Sequence, residues 1–317
     1  MEIGLGAPSR GDLADKRGME AVARRAEELG FNSLWLPDHI LIPSSFAPNY
    51  PYAADGRPTF PGRWLEQLTA MAWLAGVTSF VRLVTSVMVV PHRNPVHTAK
   101  ILSTIDVLSE GRVTVGVGAG WMEEEFIAIG TEPFAERGKV TDEYLRVFRE
   151  LWNNENPAFD GTYTHFSDIV FEPRPVQRPS IPIWIGGEGE RALRRVVELG
   201  DGWMPIGANP QFPLYTLERY KAGVERLVRK CDAAGRDPAS VTRAYFAVWP
   251  SNAPPFEAEK GERFLCTGST EQIAEDINGL AELGVEHLLL NFARPTLEAT
   301  LNEMDSFHEN VRPLLNI

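Results

Sequence analysis

One junction occurs three times in this chain: a helical segment ends in Glu-Leu-Gly and leads directly into an apolar strand. It lies at residues 28–30, 198–200 and 282–284. A glycine after a helix commonly adopts the left-handed conformation that ends the helix, so each junction predicts a helix followed by a buried strand. Repeated junctions of this kind are typical of an α/β protein built on a parallel sheet.

The number of such units predicts the architecture. Strand-then-helix units recur along the whole chain, with strands near residues 2, 33, 83, 113, 183, 202, 243 and 287. Eight strands are the number that closes a parallel barrel. We therefore predict an α/β protein with a (β/α)8 TIM-barrel fold and a single domain over residues 1–317. An open, doubly wound sheet is the structural alternative.

The unit that begins at residue 81 is the clearest. Val81–Val90 is a nearly continuous apolar run, as expected for a strand buried on both faces, and Val113–Val117 is a second one after a helical segment. Strand ends meet at one face of a barrel, so Ser86-Val87 and Gly118-Ala119-Gly120 are candidate ligand-facing segments. By its local sequence alone, Thr85-Ser86-Val87 is a common buried triplet, so without further support a place in the core is favoured.

Three segments are longer than the connections that a minimal barrel needs. Ile40–Arg63 is rich in proline, glycine and aromatic residues and has no periodicity, which predicts a long loop over the active face. Asn153–Pro182 contains Asp160-Gly161, which predicts a hairpin turn. Pro250–Gly261 is a charged, proline-containing loop.

Composition limits the partners. The net charge of −12 disfavours general binding to nucleic acid or to anionic membranes, so an anion site requires a local cluster of arginines or backbone amides. The chain shows no uncharged apolar run of eighteen residues and no signal peptide, so we expect a cytoplasmic protein. The six histidines have no metal-ligand spacing, and Cys231 and Cys266 are expected to be structural thiols.

Asp38-His39 follows the second predicted strand directly. Both side chains should lie at the rim of the barrel, where a histidine can exchange a proton near neutral pH. The alternative is a capping aspartate followed by an ordinary loop histidine.

The strongest candidate anion site is the segment Ile183–Gly189, a strand followed by the turn Gly186-Gly187-Glu188-Gly189 and a helix. Amides at the start of that helix, with Arg191 and Arg194 nearby, would bind a phosphate. The alternative is a plain tight turn. The other glycine turn lacks the helix and acid of a dinucleotide fingerprint, so a Rossmann fold is rejected. The Glu123-Glu124-Glu125 run predicts the first turn of a helix.

Taken together, these motifs resemble the luciferase-like monooxygenase superfamily, in order along nearly the whole chain. The motifs are Asp38-His39, Leu83–Val87, Arg93-Asn94-Pro95, Asp106–Arg112, Gly116–Trp121, Phe134–Gly138, Pro182–Gly187 and Gly200–Trp203. The loop with Tyr50-Pro51-Tyr52 and Asp55-Gly56, together with Phe134–Gly138, resembles the branch of oxidoreductases that use the deazaflavin coenzyme F420.

The resemblance implies a barrel that holds an isoalloxazine-type ring at its carboxyl face. It also implies a non-proline cis peptide at Ser86-Val87 that braces the ring, and a cofactor phosphate at Gly186-Gly187. Asp38-His39 matches the Asp-His pair of the sugar-phosphate dehydrogenases in this superfamily.

Two departures from the pattern matter. Trp121 stands where those dehydrogenases carry an acidic residue, so neither their substrate nor their acid/base pair is carried over. Phe134 and Gly138 stand where many FMN-binding members have His and Tyr.

We therefore predict an F420-dependent oxidoreductase that moves a hydride between the deazaflavin and an organic substrate, with His39 as proton donor or acceptor. The predicted cofactor-binding residues are Asp38, Ser86, Val87, Gly118, Gly120, Trp121, Gly186, Gly187, Glu188, Gly189 and Arg191. Arg191, Arg194 and Arg195 would supply a positive rim for the anionic lactyl-oligoglutamate tail.

Two other functions stay open. An FMN-dependent monooxygenase on the same barrel is the enzyme alternative, and a non-catalytic flavin-binding protein is the alternative of another class. The expected partners are a small-molecule substrate and a second copy in a homodimer, without nucleic acid, membrane or metal.

Overall fold

Eight parallel strands form a closed barrel in the computed structural model, which describes residues 1–47, 50, 52, 62–247 and 258–317. The barrel strands are β1 (Glu2–Gly6), β2 (Ser33–Leu36), β3 (Arg82–Val89), β4 (Val113–Gly118), β5 (Ile183–Gly186), β6 (Gly202–Met204), β7 (Thr242–Ala247) and β8 (His287–Leu290). Each strand pairs with its neighbour in chain order, and Leu5 of β1 pairs with Leu290 of β8 to close the sheet. The predicted eight-stranded barrel is confirmed.

Helices cover the outside of the barrel. Those among the described residues are α1 (Lys16–Glu28), α2 (Gln67–Val77), α3 (Pro95–Leu108), α4 (Glu123–Ile129), α5 (Arg137–Asn153), α6 (Glu190–Leu199), α7 (Leu217–Ala233), α8 (Thr270–Glu282) and α9 (Leu297–Ser306). None of these helices is long and apolar enough to cross a membrane.

Strand residues alternate between two apolar layers, as the pleat of a strand requires. One layer is a cluster inside the barrel with one residue from each of six strands: Trp35, Val84, Trp184, Met204, Ala244 and Leu289. Their strand neighbours, such as Leu34 and Leu83, belong to the larger cluster that includes the helices. Burial on both faces explains why the strands are mostly apolar.

The three Glu-Leu-Gly junctions are not equivalent. Gly30 and Gly284 have φ of 69° and 81°, so both adopt the predicted left-handed conformation. Gly200 has φ of −96°, so the left-handed prediction is wrong there. A Cβ on Gly200 would lie 2.6 Å from Cγ1 of Ile185, so the absence of a side chain serves close packing at that junction.

The segments beyond the minimal barrel are described in part. Phe159–Asp160 pairs antiparallel with His165–Phe166, which confirms the predicted hairpin. Arg63–Trp64 pairs with Arg10–Gly11, so the segment predicted as loop up to residue 63 ends in a short strand. Pro51, the motif at residues 55–58, and residues 250–257 lie outside the described residues. The single domain over residues 1–317 stays a prediction.

Arg112, at the end of the Asp106–Arg112 motif, holds together the elements at the amino-terminal side of β3. Its guanidinium donates to the carbonyl oxygens of Ala75, Thr78, Val81 and Ser109 at 2.8 to 3.1 Å. It also donates to Oγ1 of Thr78 at 2.8 Å. The planar guanidinium satisfies the last carbonyls of α2 while it positions the start of β3.

We expect Arg112→Lys to lower the free energy of unfolding by about 2 kcal/mol, because one ammonium cannot reach five oxygens and buried carbonyls then lose their donors. Urea denaturation measures this change. Arg24→Lys is the control, because Arg24 is exposed and, within the described part of the chain, its ion pair is with Glu20 on the same helix. An equal effect of the two substitutions would contradict the role assigned to Arg112.

Candidate active site

The floor of the site lies at the end of β3. The Ser86-Val87 peptide bond is cis, as predicted, and the pairing of β3 with β4 changes register between Thr85 and Met88. Val87 lies between two strand-end glycines. A Cβ on Gly118 would lie 2.7 Å from Cγ2 of Val87, and a Cβ on Gly186 would lie 2.8 Å from Cγ1. The structure therefore brings these predicted residues together, with glycine on either side of Val87.

Asp38 holds this floor in place. Asp38 is 5% exposed, and its carboxylate accepts hydrogen bonds from the Val89 amide at 2.9 Å and from both terminal nitrogens of Arg93 at 2.7 Å. Arg93 also donates to Glu66 at 2.8 Å. Burial lowers the pKa of Arg93, but the bonds to Asp38 and Glu66 more than offset it, so the pKa is raised. Asp38 thus ties β2 to the segment after Val87, and direct cofactor contact by Asp38 stays a prediction.

His39 is held by a carboxylate that the sequence did not single out. Nδ1 of His39 lies 2.8 Å from Oε2 of Glu125, which is 1% exposed. Oε1 of Glu125 accepts from the amides of Ile40 at 2.8 Å and Leu41 at 3.3 Å. Burial raises the pKa of Glu125, but His39, His92 and the Ile40 amide more than offset it, so the pKa is lowered. Glu125 is therefore ionised at neutral pH, Nδ1 of His39 donates, and Nε2 is the nitrogen that can exchange a proton.

The Glu123-Glu124-Glu125 run has two functions. It forms the first turn of α4, as predicted from the helix dipole. Glu125 is nevertheless turned inwards to His39, and Glu124 accepts from the Ala47 amide at 2.7 Å. In the sequence, the three glutamates of this run are equivalent. The position of the first turn of α4, beside the turn that follows β4, decides that Glu125 is the buried one.

Aromatic rings enclose His39. The ring centroid of Trp64 lies 5.0 Å from that of His39, and the ring of Trp121 lies 6.3 Å away, both edge-on. Phe46 and Tyr50 pack against Trp121 at 6.1 Å and 5.1 Å. The described part of the loop after β2 therefore lies over the barrel mouth, as expected, and Trp121 forms a wall beside His39.

A second cluster lies at the start of α6. Gly187 has φ of 103°, and Gly189 precedes the helix without a side-chain cap among the described residues. Arg137 donates to the Gly120 carbonyl at 3.2 Å, and burial together with the charge of Arg191 lowers its pKa. Two cations near two glycine turns favour an anion. Arg137 lies in the Phe134–Gly138 motif but received no role from the sequence.

Two arginines predicted for the positive rim do not supply it. Arg195 is 7% exposed, and its guanidinium pairs with Asp142. Arg194 pairs with Asp142 at 2.7 Å and with Glu198 at 2.6 Å. Both charges are thus neutralised one turn further along α6, and Arg191 and Arg137 remain as the cations of the rim.

Glu188 is a buried carboxyl at the same turn. It is 2% exposed and accepts from the Ile206 amide at 2.8 Å and from Nδ2 of Asn209 at 2.6 Å. Burial raises its pKa to about 7, against the two hydrogen bonds that lower it. Its side chain links the turn after β5 to the loop after β6, and cofactor contact by Glu188 stays a prediction.

Fold and site together define an α/β-barrel protein with a glycine-flanked floor, a carboxylate-bound histidine and a pair of cations at the carboxyl face. The chain belongs to the luciferase-like monooxygenase family, because the model of that family matches residues 1–249. This family of oxidoreductases and monooxygenases has both F420-dependent and FMN-dependent members.

The individual relatives include both an F420-dependent and an FMN-dependent enzyme. Uncharacterized protein Rv0953c of Mycobacterium tuberculosis is 35% identical over 189 residues, 58% of this chain and 66% of that protein. The F420-dependent glucose-6-phosphate dehydrogenase of Amycolatopsis mediterranei is 32% identical over 194 residues, 59% of this chain and 53% of its own length. The FMNH(2)-dependent dimethylsulfone monooxygenase of Pseudomonas putida is 27% identical over 298 residues, 79% of this chain and 78% of its own length.

A solved structure matches the whole fold. An F420-dependent secondary alcohol dehydrogenase, solved with an F420-acetone adduct, superposes with a TM-score of 0.74 and 21% identity, over 100% of this chain and 99% of that one. The likeness confirms the luciferase-like barrel.

Glu188 predicts a pH dependence of stability. Its folded pKa of about 7 exceeds the ordinary 4.5, so its contribution is fully present below pH 4.5 and is lost as pH rises through 7. Relative to Glu188→Gln, the wild type should lose about 3 kcal/mol of unfolding free energy over this range. Urea denaturation at a series of pH values measures the loss.

Glu190→Gln is the matched control for Glu188→Gln. Glu190 pairs with Lys230 and Arg226, which lower its pKa, so its contribution has the opposite sign. Parallel stability curves for wild type and Glu188→Gln would contradict the raised pKa of Glu188.

Proposed function

We propose that this protein is an F420-dependent oxidoreductase that transfers a hydride between the deazaflavin and an organic substrate. The observation that carries the proposal is the proton-exchanging group at the barrel mouth. His39 is bound at 2.8 Å to a carboxylate that is 1% exposed and ionised, and it stands beside aromatic walls. Oxidation of an alcohol or reduction of a carbonyl by hydride transfer requires such a group to take or give the accompanying proton.

The residues present fit a flat ring that carries an anionic tail. Val87 offers an apolar floor, and its methyl groups occupy the space that a Cβ on Gly118 or on Gly186 would fill. The uncapped start of α6, with Arg191 and Arg137, suits a phosphate. When bound, the deazaflavin supplies the carbon, C5, that gives or takes the hydride.

The chain itself manages the proton and excludes water. With Nδ1 donating to Glu125, neutral His39 accepts the substrate proton at Nε2, and the negative charge of Glu125 stabilises the imidazolium that results. In the opposite direction the same imidazolium donates. Trp64 and Trp121 shield this exchange from solvent.

The choice of F420 rests on two supports. One relative of 32% identity is an F420-dependent dehydrogenase. In addition, Phe134 and Gly138 replace the His and Tyr of many FMN-binding members, and Phe134 instead stacks on the guanidinium of Arg137 at 3.8 Å. The FMN-dependent relative, which matches over 298 residues, keeps an FMN-dependent monooxygenase as the second candidate. Oxygen consumption distinguishes the two enzymes, and turnover of any substrate excludes a non-catalytic flavin-binding protein.

Replacement of His39 tests the proton transfer. His39→Ala should lower kcat roughly a hundredfold while cofactor affinity changes by only a few fold, because the histidine handles the proton and does not hold the ring. His165→Ala is the control, because that histidine is exposed on the hairpin. Loss of cofactor binding with normal turnover of the loaded fraction would assign His39 to ring packing instead.

Titration of the cofactor-free protein with F420 and with FMN, at two salt concentrations, tests the cofactor. F420 should bind more tightly, and Arg191→Gln should weaken its binding about tenfold at low salt and less at high salt. Arg194→Gln should leave the affinity within about twofold, because Asp142 and Glu198 already neutralise Arg194. Tighter binding of FMN at both salt concentrations would make the protein a flavin enzyme.

A further inference from the structure

A second histidine lies behind the proposed proton-transfer site. His92 ends the short 3₁₀ turn Val90–His92 that follows β3, and it is 4% exposed. Among the described residues, neither of its ring nitrogens has a hydrogen-bond partner. Buried polar groups in folded proteins are almost always paired, so an imidazole with two unpaired nitrogens calls for a physical reason.

The carboxylate that holds His39 lies close to the ring of His92. Nδ1 of His92 lies 3.8 Å from Oε1 of Glu125, and Nδ1 of His39 lies 2.8 Å from Oε2 of the same group. The His92 ring is fixed edge-on against Phe126 at 4.7 Å between centroids. An approach of about 0.6 Å or more would bring Nδ1 of His92 within hydrogen-bond distance of Glu125.

The charges around His92 decide its protonation. Burial lowers the pKa of His92, Glu125 and Asp38 raise it, Arg93 and His39 lower it, and the net result is a lowered pKa. His92 is therefore neutral at pH 7 and carries one N–H. Asp38 and Arg93 are bound to each other through two hydrogen bonds, and Glu66 is bound to Arg93, so of these acids Glu125 is the one left to accept from His92.

We propose that His92 is a positioning residue whose Nδ1–H points at Glu125 and closes a His39–Glu125–His92 triad. A neutral donor at Oε1 stabilises the carboxylate and makes it a weaker base. The proton between His39 and Glu125 then stays on Nδ1 of His39, which leaves Nε2 as the nitrogen that takes up a proton. The effect of this arrangement on catalysis rests on the proposed function. The positions of the protons on His39 and His92 do not, because they can be measured in the cofactor-free protein.

The proposed hydrogen bond between His92 and Glu125 has a direct effect on proton uptake by the His39–Glu125 pair. Before uptake the His39–Glu125 pair carries a net negative charge, and after uptake it carries none. A donor directed at Glu125 therefore stabilises the unprotonated pair more strongly than the protonated one. Removal of the donor should move proton uptake to higher pH.

Two substitutions separate the donor from the volume of the ring. His92→Phe keeps an aromatic ring against Phe126 and removes the N–H. His92→Asn loses the ring but places an amide N–H near the position of Nδ1. A role in packing alone predicts that Asn is the worse replacement, whereas the proposed triad predicts that Asn preserves the behaviour of His39.

The test is ¹⁵N NMR of the histidine side chains in the cofactor-free protein across the pH range of imidazole titration. We expect both His39 and His92 to carry their proton on Nδ1. The pH midpoint of proton uptake by the pair should rise by about one unit in His92→Phe and stay within about a third of a unit in His92→Asn. In the active enzyme, the acid limb of kcat/KM for substrate oxidation should move in the same direction.

Three outcomes would overturn the proposal: His92 protonated on Nε2, an unchanged midpoint in His92→Phe, or equal shifts in both variants. If His92→Phe does not fold, His92→Leu, which is smaller and also lacks the donor, takes its place. Because the NMR measurement needs neither cofactor nor substrate, failure of the F420 assignment would leave the result for the triad unaffected.

Discussion

Glu125 carries a negative charge into a position where it is 1% exposed, and the arrangement of the site depends on how that charge is compensated. Its carboxylate accepts from His39, at the end of β2, and from the amides of Ile40 and Leu41, where the long loop begins. Since an uncompensated buried charge costs several kcal/mol, these donors cannot move away without loss of stability. One acid at the start of α4 thereby fixes both the orientation of His39 and the point at which the loop leaves the barrel.

A second buried carboxylate, that of Asp38, holds the floor of the site in place. Asp38 binds Arg93 and the Val89 amide, so β2 is tied to the segment that follows Val87. With Gly118 and Gly186 on its two sides, Val87 has little freedom to shift. The adjacent residues Asp38 and His39 therefore have different tasks, because one is directed to the backbone of β3 and the other to the carboxylate from α4.

Local charge, and not net charge, decides what the carboxyl face can bind. The chain carries a net charge of −12, and arginines along α6 are largely matched by acids such as Asp142. Arg137 differs from these arginines, because its guanidinium donates to backbone carbonyls. Its pKa is lowered by burial and by the nearby charge of Arg191. Two like charges held together at the mouth of an acidic protein are suited to a bound anion.

The sequence by itself determined the barrel and the strand ends. Eight buried strands are visible as mainly apolar runs, since burial on both faces favours apolar residues. The chain order of the strands then fixes which ends share a face. His39 and the Gly186–Gly189 turn could be placed at that face because they directly follow predicted strands. Resemblance to a family supplied the cis peptide at Ser86-Val87, which no local pattern indicates.

Only the tertiary structure decided which charged groups meet. Glu125 and His39 are 86 residues apart, and Arg195 meets Asp142 across 53 residues, so neither pair leaves a trace in local periodicity. Helix rotation selects one glutamate of three for burial, and it turns Arg194 and Arg195 towards Asp142 on α5. Hydrophobic patterning records burial, whereas pairing of polar groups depends on side-chain directions that exist only once the strands and helices have packed.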